Sequence, residues 1–194
     1  MPSDISTLIS EYKRAEAAIK DTERRLDSLC IPSVNEMRMA LYHVMLQDET
    51  GAVMTPEGVE AAIRHCKRAY FDTREMETAA LCNASHDILK SIKGYARVVS
   101  QAFPSYHKLK NAAIEAKETL STAQDVRASE SREDQFTSFD EHRESLREFI
   151  KEYEKYSDDI QEAIWQEKIR NVLLLLGGIV ALIGIYVAIL KFLC

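Results

Sequence analysis

The chain has 194 residues, 46% of them hydrophobic and 29% charged, and carries a net charge of -6. That length suits one helical head with a short appendage, and the acidic balance argues against nucleic acid as a partner, because its phosphate backbone needs a basic surface. The four cysteines show no paired spacing, which excludes a disulfide framework or a zinc ribbon as the organising principle.

In chain order, residues 4–29 carry Ile5, Leu8, Tyr12, Ala15, Ile19, Thr22, Leu26 and Leu29, three and four apart, a coiled-coil-like seam on a first helix. Pro32 interrupts it. Ser33 followed by Glu36 reads as a capping box that opens a second helix ending near Gln47. One face of that helix carries Met37, Ala40, Leu41, Val44 and Met45. Thr55-Pro56-Glu57 is a strong helix start, with a hydroxyl N-cap, a proline at the first helical position and an acid in the first turn.

From there a helical period continues to Phe103, with Val59, Ile63, Cys66, Tyr70, Met76, Ala80 and Ala84 facing inward and Gly94 marking a bend. A helix of about 45 residues would be ~65 Å long, so the head is expected to be elongated. Residues 105–126 form a further helix with Leu109, Ala113, Ala116, Leu120 and Ala123 inward. Residues 128–138 are polar and break the period, which predicts a loop. Leu146, Phe149, Tyr153, Tyr156, Ile160 and Ala163 then mark a three-four seam on a last helix starting near Asp140. No proline or glycine separates that seam from the C-terminal apolar run, so one continuous helix from Asp140 to Phe192 is expected. No segment reads as a strand.

Residues 172–190 contain no charge. At ~1.5 Å per residue they cover roughly 28 Å, close to the ~30 Å hydrocarbon core of a bilayer. Lys168 and Arg170 precede the run, Lys191 follows it, and Trp165 and Tyr186 lie near its two ends, where interfacial aromatics sit. The expected architecture is therefore all-α. An elongated helical bundle occupies residues 1–165, and a membrane anchor occupies 166–194, continuous with the last bundle helix. The first residues show neither a basic n-region nor an apolar core of a signal peptide, so the head is expected in the cytosol with the lipid bilayer as partner.

Gly177, Ala181, Gly184 and Ala188 are spaced four, three and four, which places small side chains on one face of the span. Such a face lets membrane helices approach closely. Together with the seam Leu146, Phe149, Tyr153, Tyr156 and Ile160 it predicts a homo-oligomer. The span holds no polar side chain that could line a hydrophilic pore. His65-Cys66 and Cys82 with His86 are zinc-ligand types, but Cys66 and Cys82 would stand ~24 Å apart on one helix. No metal and no cofactor is expected.

Arg38 and His43 bracket four residues. That Arg-x4-His spacing resembles the short motif of HEPN proteins, all-helical domains that often dimerise and in active members cleave RNA. The resemblance implies that Arg38 would meet the phosphate charge and His43 the 2′-hydroxyl proton, without metal. Met39 stands where RNA-cleaving members usually carry a polar side chain. With the small helical head and the single span, the chain resembles the membrane accessory proteins of type VI-B CRISPR systems and related small prokaryotic defence effectors. That resemblance implies a ring-shaped assembly compromising the bacterial inner membrane when infection is sensed, with a defence-system protein as partner and Arg38 and His43 as structural or interface residues. The expectation is a tail-anchored, oligomeric defence effector rather than an enzyme. The alternatives are a membrane tether or adaptor working through helix–helix association, and a membrane-anchored HEPN ribonuclease.

Overall fold

The computed structural model describes residues 5–46, 51, 54–126 and 132–193, and among them every regular element is helical. In chain order these are α1 (Ile5–Leu26), α2 (Ile31–Met45), α3 (Pro56–Ser91), α4 (Ala96–Ala102), α5 (Tyr106–Val126), α6 (Arg132–Lys155) and α7 (Ser157–Leu193). Two expected boundary residues, Asp4 and Gln47, lie outside the described residues, as do 128–131 of the expected loop.

The 36 residues of α3 form the axis of the head, ~54 Å long. Its start follows the local chemistry: the Thr55 hydroxyl accepts the Gly58 N–H at 3.2 Å, with Pro56 behind it. Helices α1 and α2 pack on its first half, and α5 and α6 on its second. Alanines make the α1–α3 approach close, since Ala15, Ala62 and Ala69 are fully buried. The long pattern ends sooner than the sequence predicts. A turn at 92–95 with Gly94 in the left-handed region (φ 94°) separates α3 from the short α4. Helix α4 folds back along α7, and Ile92, Val99, Phe103, Phe149, Ile160 and Ile164 close a core there.

Several local expectations are corrected. Helix α2 begins at Ile31, with Pro32 in its first turn and Cys30 as its unassisted N-cap. Ser33 lies inside the helix and accepts the Thr73 hydroxyl at 2.8 Å, while Glu36 bonds His65, so no capping box forms. Instead the Glu23 carboxylate accepts the Cys30 N–H at 2.9 Å and fixes the α1–α2 corner. Leu41 and Met45 are 55% and 66% exposed, so the core face of α2 is narrower than its hydrophobic pattern.

Residues 132–138, expected in a loop, are the first two turns of α6. Their polar composition suits a helix whose stability comes from tertiary packing further along, at Leu146 and Phe149. The expected single helix from Asp140 is broken at Tyr156, whose N–H is shared between the Glu152 and Tyr153 carbonyls at 3.2 Å each. At that point Tyr156 packs against Phe103, ring centroids 5.7 Å apart, in the aromatic part of the core. Beyond that break α7 is uninterrupted from the head core to Leu193.

Candidate functional site

Helix α7 is one helix with two environments. Ile160 and Ile164 are buried against α4, whereas every residue from Asn171 to Leu190 is exposed. The stretch is long and apolar enough to cross a membrane, and none of its most apolar window is covered by the rest of the protein. Burying Leu, Ile and Val side chains is worth ~1.5–3 kcal/mol each, so a dozen such residues left in water would be untenable. Gly177, Ala181, Gly184 and Ala188 are exposed along this segment, and no protein atom lies within 4 Å of a side chain placed at Gly177 or Gly184. The small-residue face is open.

The other half of the expected assembly surface is not. Leu146, Phe149 and Ile160 are fully buried inside the protomer, and Tyr153 and Tyr156 are half-buried against the same core. The three-four seam that suggested an intermolecular coil is satisfied by α3, α4 and α5 of the same chain. Leu146, Phe149 and Ile160 thus spend their surface inside the protomer, whereas Tyr153 and Tyr156 keep part of theirs exposed.

Arg38 and His43 lie on the regular helix α2, where five positions amount to ~140° of rotation. Arg38 is exposed. His43 is half-buried, its ring stacked on His65 at 5.0 Å with 19° between planes. His65 Nδ1 in turn meets Glu36 Oε2 at 2.6 Å, and Arg68 reaches the other Glu36 oxygen at 3.7 Å. This is a clasp between α2 and α3. It sits where the backbones touch: a Cβ on Gly58 would stand 2.7 Å from the His43 carbonyl oxygen. The fold does not bring Arg38 and His43 together within one chain.

A charged cluster in the interior of the head is scarcely marked in the sequence. Glu77, on α3, is 1% exposed. Its carboxylate meets Arg74 at 3.1 Å, Arg143 at 3.7 Å and Arg147 in a close pair, and Arg147 also reaches Asp21 of α1 at 3.8 Å. Three helices are thus tied through one buried acid. Hydrogen bonding from Arg25 foremost, with Arg24 adding to it, holds the Asp21 carboxyl below its ordinary value. Tyr70 closes the neighbouring side, with the Arg14 and Arg74 guanidinium carbons 3.9 and 5.1 Å from its ring centre. Burial would push the Tyr70 phenol up, but the hydrogen bonds from Arg74 and Arg14 outweigh it and bring it down. Arg74, Arg143 and Arg147 each keep a buried Nε without a hydrogen-bond partner among the described residues. The only signal in the sequence is weak. Arg143 and Arg147 stand four apart on the inner side of α6, but their acid is about 70 residues away.

The thiols are inert by placement: Cys30, Cys66 and Cys82 are buried, and burial pushes Cys30 and Cys66 up to about 11. No three potential ligands converge on a metal-sized site among the described residues. On the surface, Leu8, Ile9, Tyr12, Ala40, Leu41 and Val44 line an apolar groove of about 330 Å³ between α1 and α2. No family model matches the chain, and neither a curated protein nor a solved structure is similar to it.

Proposed function

We propose that the chain is a single-pass, tail-anchored membrane protein with a cytosolic head, acting as an oligomeric effector of bacterial defence that perturbs the inner membrane when triggered. The observation that carries the membrane reading is the fully uncovered apolar half of α7. Its continuity with the head core at Ile160 and Ile164 supports a mechanical role, because a change in head packing reaches the bilayer without passing through a flexible linker. Oligomerisation rests on the open face of Gly177, Ala181, Gly184 and Ala188 alone. The resemblance to HEPN-like defence proteins supplies the defence context, with His43 in a structural clasp rather than a catalytic role.

Release of a small dye from liposomes carrying the purified full chain tests the effector reading. Leakage that scales with protein density supports it, and intact vesicles at high density would overturn permeabilisation. A second reading, a membrane tether, is favoured by the apolar α1–α2 groove, whose exposed Ile9 and Leu41 offer a face to another helix. Capture of one helical partner by Leu41-dependent binding, without leakage, would select that reading.

A further inference from the structure

The end of the head nearest the apolar half of α7 is basic in a chain that is acidic as a whole. Residues 88–103 contain Lys90, Lys93 and Arg97 and no Asp or Glu, in a chain that carries 31 acidic residues and a net charge of -6. All three cations are exposed, and none forms an ion pair with another described residue. The nearest acids along the chain are Asp87, one turn earlier on α3, and Glu115 on α5, while Glu167, on the neighbouring α7, is paired with Arg170.

Packing fixes where these cations sit. Tyr95, at the end of the α3–α4 turn, lies under the Lys168 ammonium at 5.6 Å from its ring centre. Helix α4 then runs away from that point along α7, reaching Ile164 and Ile160 through Val99 and Phe103. The 92–95 turn is therefore the tip of the head that flanks α7 just before the uncharged run. Lys168 is four residues from Val172, a rise of ~6 Å, which is about the depth of one headgroup layer of a bilayer. Lys90, Lys93, Arg97 and Lys168 would stand at the level of the lipid phosphates.

We propose that this tip is a docking surface for anionic phospholipid headgroups, formed by Lys90, Lys93 and Arg97 around the base of α7. It rests on the reading of residues 172–190 as a bilayer span and adds to it the kind of lipid the head prefers. An acidic head tethered to an anionic leaflet would otherwise be repelled. The basic tip reverses the sign where contact is closest, and the Tyr95 ring adds an amphipathic group at the same level. Held by the anchor, the tip needs only to tilt onto the surface. Each cation near an anionic leaflet strengthens docking by about fivefold, so three act together even though one alone would be marginal.

The test uses the full chain reconstituted in lipid nanodiscs of phosphatidylcholine, with or without phosphatidylglycerol, and reads lysine acetylation by mass spectrometry. Lys90 and Lys93 are expected to react at least about fivefold more slowly in the anionic discs, with the difference lost at high salt. Lys20, on α1, should react equally in both. The double variant Lys93→Gln with Arg97→Gln, exposed positions whose loss leaves the core intact, should abolish the slowing at Lys90. Equal rates in the two discs, or slowing that survives in the variant, would overturn the proposal while leaving the span in place. Shielding by added single-stranded RNA in neutral discs, with none from the lipid, would overturn it in favour of a nucleic-acid surface. A chain that enters neither disc would overturn the span itself, and the docking surface with it.

Discussion

Glu77 is a buried acid whose loss the head should feel strongly. A buried carboxylate facing three guanidinium groups contributes little net stability as a set, but removing it leaves three cations in the interior. Glu77→Ala should therefore cost about 3–5 kcal/mol in chemical unfolding of the head. Replacing Glu77, Arg143 and Arg147 together by apolar residues should cost much less than the single change. Asp21, at the rim of the same cluster, has a depressed pKa in the folded state, so its stabilising charge is fully present above the ordinary carboxylate value of ~3.9 and is lost as pH falls through the lower folded value. The stability gap between the protein and Asp21→Asn should accordingly be constant near neutrality and close only below that value. The buried thiols give a simpler check. With Cys66 pushed up to about 11 and fully covered, alkylation at pH 8 should follow unfolding rather than precede it.

Among the elements, the α2–α3 junction and the end of α7 are the sensitive ones. Gly58→Ala would drive a methyl into the His43 carbonyl, and because that neighbour is backbone, the helices must separate. A loss of about 1–3 kcal/mol is expected, together with disruption of the His43–His65 stack. In the anchor, Gly184→Leu meets no intramolecular obstacle, so any effect reads contacts between copies. Light scattering of the detergent-solubilised protein should show a smaller particle for Gly184→Leu, whereas unchanged mass would remove the small-residue face from the account. These elements also show where a one-dimensional pattern reaches and where it stops. The Thr55-Pro56 start and the buried Leu109, Ala113, Ala116 and Leu120 of α5 were legible because caps and periodicity are local. The Ser33–Glu36 box was not, since both side chains found better partners on α3, and the break at Tyr156 lies where its ring meets Phe103, about 50 residues away in the chain.

For the whole molecule, the arrangement is a head organised around α3 and clamped to α7 by α4. Deleting residues 172–194 should leave a monomeric, water-soluble head with unchanged melting behaviour, because nothing in the head core contacts the apolar half of α7. Loss of folding on that deletion, seen by circular dichroism, would contradict this independence.

The sequence alone determined the all-helical class, the strong start of α3 and the apolar C-terminal helix, since each depends on side chains within a few residues of one another. Only the tertiary structure decided which of those patterns look inward. It placed the Leu146-to-Ile160 seam in the protomer's own core, drew Glu77 inside among arginines from a distant helix, and stood the basic 88–103 segment beside the foot of the span. The physical reason is that burial and charge pairing depend on distance through space, and a hydrophobic or ionic face is silent about its partner until the chain has folded onto it.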